Sequence, residues 1–128
     1  MQAAEVVTHG DFTPKNFLVA GNNLILLDYE VVHIGWPEFD FASIANHLTL
    51  KMVHLPAHRP ALQATLQQFL GGHELHLPLL GALMLARVDG KSPAEYLREE
   101  DNPRIRDAAK RLLRGEFGSY ESFQTSTF

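Results

Sequence analysis

The segment His9-Gly10-Asp11-Phe12-Thr13-Pro14-Lys15-Asn16 concentrates residues whose types and spacing could do chemistry. It has the form His-x-Asp-x-x-x-x-Asn, which holds a carboxylate and an amide at a fixed separation. A third oxygen donor, Asp28, follows twelve residues after Asn16 and closes the apolar run Leu24-Ile25-Leu26-Leu27. Asp11 can accept, or at least orient, the proton of an attacking hydroxyl. Asn16 offers a neutral carbonyl oxygen and Asp28 a carboxylate. Mg²⁺ takes such oxygen ligands, usually one or two carboxylates completed by phosphates. Phosphoryl transfer asks a protein mainly to position groups and neutralise charge, and this set is suited to both tasks. Taken singly, Asp11 and Asn16 would be residues that cap and brace a turn. Together with Asp28 at this spacing they read as a catalytic loop.

The wider pattern is His9-Gly10-Asp11, Asn16, Asp28-Tyr29-Glu30, Gly35-Trp36-Pro37 and Asp40-Phe41-Ala42. It resembles the aminoglycoside phosphotransferase and choline kinase superfamily over residues 9–42, and Ala86 to Pro93 is similar to bacterial members. The resemblance implies a protein-kinase-like fold, ATP as phosphoryl donor, Mg²⁺ as cofactor and a small-molecule hydroxyl acceptor. Aminoglycosides, choline-like amines, sugars and amino-acid alcohols all fall within the superfamily. It implies that Asp11 is catalytic and that Asn16 and Asp28 hold the metal. His9, Gly10 and Asp40 are supporting residues. His9 packs beneath the metal loop and bonds backbone, Gly10 lets the chain pass close to that neighbour, and Asp40 caps a helix while tying down the catalytic loop. Glu30 stays open between substrate contact and brace.

Several departures refine the substrate class. Gly10 stands where protein kinases usually have Arg, and Thr13 where protein Ser/Thr kinases carry Lys. Eleven residues separate Asp28 from Asp40, too few for an activation segment, so a small molecule is expected and a protein substrate is not. Eight residues precede His9, with no Gly-rich loop and no strand Lys to grip a nucleotide. The expectation is therefore a partial carboxyl-terminal lobe lacking its nucleotide-gripping lobe. It would be a fragment, a truncated product or half of a split enzyme, inactive alone, and would associate with itself or with the missing lobe. The alternative is a truncated, non-catalytic remnant acting as a binding or assembly module.

The elements that must position these residues are legible in outline. Phe17 to Ala20 and Leu24 to Asp28 flank Gly21-Asn22-Asn23, a hairpin signal. After Asp40 the chain reads as helical. Asp40 is a plausible N-cap for Phe41 to Leu50. Pro60 opens a helix through Leu70, ended by Gly71-Gly72. Leu77 to Val88 is apolar nearly all round and should be central. Ser92-Pro93-Ala94-Glu95 has the spacing of a capping box. Asn102-Pro103 starts the last helix, with Ile105, Ala108, Ala109, Leu112 and Leu113 facing the core and Gly115 as its stop. The expected class is α+β, mostly helical, with a short β-hairpin after the catalytic loop. Loops 9–40 come first, then a helical part over 41–114 and an irregular tail over 115–128.

Composition narrows the partners. The chain has 128 residues, 45% of them hydrophobic, so a packed core is expected. With a net charge of -4 and no basic block interleaved with aromatics, nucleic acid is not an expected partner. There is no cysteine, which excludes disulfides and thiolate metal sites and fits a cytoplasmic location. No stretch is apolar for long enough to span a bilayer, and no signal peptide is read at the amino terminus. His73-Glu74-Leu75-His76 falls one residue short of a zinc motif, and Pro56 separates His54 from His58, so both pairs read as ordinary histidines.

Overall fold

The computed structural model describes residues 5–128, and the first elements in it are short strands. β1 (Val6–Thr8) and β4 (His33–Gly35) pair antiparallel, with Val7 opposite Ile34. β2 (Phe17–Ala20) and β3 (Asn23–Leu26) form the expected hairpin, with Phe17 opposite Leu26 and Gly21 turning the chain at φ 61°. Each pair is its own two-stranded sheet, and the helices follow, so the class is α+β. The β1–β4 pair was not anticipated, because strands of three residues carry no readable alternation.

α1 (Glu38–His54) starts two residues before Asp40, with Pro37 as its N-cap. Asp40 is therefore not the cap but lies inside the first turn, where its side chain serves another segment. From Ala42 to Leu50 every residue of α1 is buried, as are Met52 and Val53. This helix, and not Leu77 to Val88, is the axis of the molecule. α2 (Arg59–Leu70) has Pro60 in its first turn and ends on Gly71 in the left-handed conformation. α3 (Leu77–Asp89) fully buries only Leu80, Gly81 and Met84, which corrects its expected central place. It packs on α1 and on α4 (Asn102–Leu113), and its remaining face is half-buried or open. The crossing with α4 is close at Gly81, where a Cβ would lie 2.8 Å from the carbonyl oxygen of Ala109. α4 buries Ile105, Ala108, Ala109 and Leu112 as expected, while Leu113 stays 43% exposed.

Two expectations fail in the second half. Ser92 to Glu95 forms no helix. The Ala94 amide donates back to the Arg87 carbonyl at 3.0 Å, and the chain continues through turns to a 3-10 turn at Glu99–Asp101. The tail is not irregular, since it forms α5 (Tyr120–Thr127), capped by a reciprocal pair of bonds between Ser119 and Ser122. Phe123 at its centre is fully buried, with Phe117 and Phe128 edge-on against its ring. Burying an aromatic side chain of this size supplies enough free energy to order a two-turn helix that propensity alone would leave frayed. No helix among the described residues is long and apolar enough to cross a membrane.

Candidate active site

The loop after β1 is held from three sides. The Asp40 carboxylate accepts the His9 amide at 2.8 Å through Oδ2 and the Gly10 amide at 3.1 Å through Oδ1. A carboxylate in the first turn of a helix is also favoured by the helix dipole. Gly10 has φ 89°, and a Cβ there would lie 2.6 Å from the carbonyl oxygen of Val31. Glycine is thus required twice, by conformation and by the close approach of the strand-turn backbone.

His9 is buried and links two loops. Its Nε2 donates to the Leu27 carbonyl at 2.9 Å, and its Nδ1 accepts the Asp11 amide at 3.2 Å. Both bonds form only in the neutral ring with the proton on Nε2, so the network fixes the tautomer. The ring edges also meet Phe12 and Tyr29. Asn16 is buried at the end of the 3-10 turn Pro14–Asn16. Its Nδ2 donates to the Asp11 carbonyl at 2.7 Å and to Asp11 Oδ2 at 3.0 Å. This assigns the amide orientation and leaves Oδ1 out of the loop's hydrogen bonds. Its backbone carbonyl accepts the Leu27 amide at 2.8 Å, which sets Asp28 beside the same turn.

Asp11 is 26% exposed, with Lys15 Nζ 3.6 Å from Oδ2. Lys15 is 71% exposed, so that pair adds little stability. Asp28 is exposed and has φ 62°. Aspartate tolerates this left-handed conformation better than most residues, but it still carries strain. The structure therefore brings Asp11, Asn16, His9, Gly10 and Asp40 into one bonded loop and sets Asp28 next to it. Glu30 is exposed and makes none of the side-chain bonds of this network. Among the described residues no cluster of three or more His, Cys, Asp or Glu is arranged to hold a metal.

Sequence reasoning missed a buried polar pair anchored on α1. His47 of α1 is buried, and its Nδ1 lies 3.1 Å from the Tyr96 hydroxyl. Burial, aided by the nearby Arg87 guanidinium, lowers its pKa to about 4, although the Asp11 carboxylate acts in the opposite sense. Burial pushes the Tyr96 phenol well above its ordinary value. His47 Nε2 and, in the loop itself, Thr13 Oγ1 are buried without a partner. A histidine among the apolar residues of α1 gave no signal of this.

Three of the other histidines have side-chain hydrogen bonds of their own. His54 Nδ1 donates to Asp101 at 2.8 Å, and His73 Nε2 to Glu38 at 3.0 Å. His76 Nδ1 accepts the Leu79 amide and caps α3.

No curated protein and no solved structure matches the chain. A family model does, described as the phosphotransferase enzyme family, and it covers residues 1–51. The matched stretch contains the whole bonded loop, Asp28 and Asp40, and it supports membership of this chain in the aminoglycoside phosphotransferase superfamily.

Proposed function

We propose that the Asp11 loop is the catalytic loop of an ATP-dependent kinase that phosphorylates a hydroxyl of a small molecule. The family match points to phosphotransferase chemistry in general. The observation that carries the specific reading is the bond from Asn16 Nδ2 to Asp11 Oδ2 at 3.0 Å. It occupies one carboxylate oxygen of Asp11 and leaves the other to receive or orient the proton of an acceptor hydroxyl. It also turns the Asn16 carbonyl oxygen outward from that bond. With the exposed Asp28 carboxylate this gives two oxygen donors of the type Mg²⁺ prefers, and nucleotide phosphates and water would complete the shell. The donor set fits the ion. Bound with the nucleotide, Mg²⁺ supplies neutralisation of phosphate charge. Gly10, His9 and Asp40 hold the base and the two ligands in register. Glu30, exposed near Asp28, is the candidate contact to the acceptor.

The test is phosphoryl transfer from Mg-ATP to a panel of hydroxyl acceptors by wild type and Asp11→Asn. Loss of the positioned proton acceptor should lower turnover by about 10²- to 10⁴-fold, with an unchanged circular dichroism spectrum. Near-normal turnover in the variant refutes the role of Asp11, and failure of wild type to transfer to any acceptor, both alone and with a nucleotide-gripping lobe supplied, refutes the reading.

A second reading, an assembly module, has its own observation. Val7 and Val19 are each 71% exposed, Leu24 is 69% and Ile34 is 63%. Apolar patches of this kind on a soluble protein tend to mark contact surfaces. Self-association of the chain, or covering of these strands by a separate nucleotide-gripping lobe, would appear as a mass above that of a monomer in light scattering.

A further inference from the structure

A groove of about 790 Å³ is enclosed by α2, the turn that follows it and α5. That volume falls within the range of small-molecule sites, about 300–1,000 Å³. None of Asp11, Asn16, Asp28 and Glu30 lines it. Ring contacts stand between its His73 edge and the catalytic loop. His73 stacks on Phe41 at 3.9 Å, Phe41 meets Phe69 at 5.7 Å, and Phe69 meets Phe12 at 5.7 Å. The groove is therefore a second place, apart from the Asp11 loop.

Its floor is aliphatic. Leu66 is fully buried, and Leu70 and Leu75 are half-buried beside it. Its walls carry carboxamides, Gln63 and Gln67 from α2 and Gln124 from α5. Gln63 and Gln67 are one helical turn apart, so they share a face with their Cβ atoms about 5–6 Å from each other. Other polar groups of the groove are already bonded within the fold. Arg59 donates twice to the Met52 carbonyl and lies over the Phe128 ring. His73 bonds Glu38, the Tyr120 hydroxyl bonds Thr49, Ser119 caps α5, and Thr125 donates to the Glu121 carbonyl. Gln63 and Gln67 take part in none of these bonds. Gln124 donates to the Met52 sulfur at 3.9 Å, a weak acceptor that a ligand oxygen readily replaces.

This lining selects a class of ligand. A charged one gains little, because Arg59 is spent and Glu74 and Glu121 are exposed, where charges attract weakly. A wholly apolar one would strip water from the carboxamides and return no bond. Each carboxamide has two donors and an acceptor oxygen, and each hydroxyl both gives and accepts. A ligand with hydroxyls round its edge and C–H bonds on its faces therefore satisfies walls and floor together.

We propose that this groove binds a neutral saccharide, with a ring face on Leu66, Leu70 and Leu75 and hydroxyls on Gln63, Gln67 and Gln124. The proposal does not rest on phosphoryl transfer, since a sugar held here is not the acceptor at Asp11.

The test is a nitrogen-edited NMR titration of the whole chain with maltose, cellobiose and lactose. Glycerol, spermidine, citrate and trialanine are the comparison ligands. At least one disaccharide should give saturable shifts of the Gln63, Gln67 and Gln124 side-chain amides, while the Gly10, Asp11 and Asn16 backbone amides stay in place. The comparison ligands should not saturate these signals. Gln63→Ala and Gln67→Ala should each weaken binding about 3- to 10-fold, as expected for a lost neutral hydrogen bond. Gln68→Ala, at an exposed position outside the groove, should leave binding unchanged and so separates lost contacts from a disturbed α2. No saturable shift with any disaccharide, tighter binding of trialanine, spermidine or citrate, or undiminished binding in both groove variants would each overturn the proposal. Saccharide shifts confined to the Asp11 loop would also overturn it, and would leave the kinase reading standing. Groove binding in a chain that transfers no phosphate, even with a nucleotide-gripping lobe supplied, would do the reverse.

Discussion

Asp40→Ala removes a carboxylate that accepts two backbone amides from a segment thirty residues away, His9 at 2.8 Å and Gly10 at 3.1 Å. Hydrogen bonds to a charged group contribute about 1.5–3 kcal/mol each, and a donor left unsatisfied in a buried setting costs a similar amount. These bonds are only partly buried, so water recovers some of the loss. The favourable position in the first turn of α1 adds about 0.3–1 kcal/mol. A net destabilisation of roughly 2–4 kcal/mol follows. For a chain of this size that lowers Tm by about 8–15 °C. Asp40→Asn should fall between, because an amide has one acceptor oxygen and must turn its NH₂ toward the second backbone donor. The assay pairs thermal and urea unfolding with hydrogen exchange at the two loop amides. Both amides should exchange faster in Asp40→Ala, even at temperatures well below Tm. If Asp40→Ala unfolds within 0.5 kcal/mol of wild type, the size of a neutral surface change, or if the His9 and Gly10 amides exchange unchanged, the clamp does not exist as described.

Other consequences follow from the same geometry. Asn16→Ala and Asp28→Ala should both raise the Mg²⁺ concentration needed for phosphoryl transfer, Asp28→Ala more severely because a charge is lost; unchanged Mg²⁺ titrations in both variants would refute the pairing. His47 is neutral in the fold, with its pKa lowered to about 4 by burial first and Arg87 second, so the unfolded chain binds its proton more readily. Its contribution to stability is complete above about pH 6.5 and should fall, by up to about 1.4 kcal/mol per pH unit, as pH drops toward 4. In His47→Gln this component of the pH dependence should vanish when urea midpoints are compared across that window. Phe123→Ala should cost about 3–5 kcal/mol because its ring is fully buried, and a change below 1 kcal/mol would show that α5 is not part of the core.

What the sequence discloses about this fold depends on where each residue's partner lies. The hairpin over Phe17 to Leu26 was legible because its signal is local: Gly21 and Asn22 between two apolar runs. α2 and α4 were legible for the same reason, with Pro60 and Pro103 opening them. Asp40 was half legible. Its type suits a helix start, but its acceptor capacity is spent on His9 and Gly10, which only tertiary contact discloses. Ser92-Pro93-Ala94-Glu95 has the letters of a capping box, yet Tyr96 is drawn toward His47 and the Ala94 amide back to Arg87, leaving no room for a helical turn. The exchange of roles between α1 and α3 is instructive. α3 is the more apolar, but α1 is the one enclosed, because its Thr49 finds the Tyr120 hydroxyl at 2.8 Å and its His47 finds Tyr96. Apolarity measures what a helix tolerates, whereas enclosure depends on which neighbours arrive. α5 was overlooked for want of a long periodic pattern, though Ser119 and the phenylalanines on either side of Tyr120 were its signal. At the site, residue identity and spacing located the Asp11 loop, while His47 had no local mark.

The 2.8 Å bond between the Asn16 carbonyl and the Leu27 amide closes the base of the β2–β3 hairpin. Everything between those two residues leaves the site and returns to the same point, like a stem tied off at its root. The separation of Asn16 from Asp28 is then set by that knot and not by the number of residues outside it. Loop length enters the closure cost only logarithmically. The hairpin tip at Gly21-Asn22 is accordingly a place where the chain can be lengthened, shortened or exchanged for a foreign segment with the two oxygen donors left in register, and a tag or reporter grafted there would ride on the site without entering it.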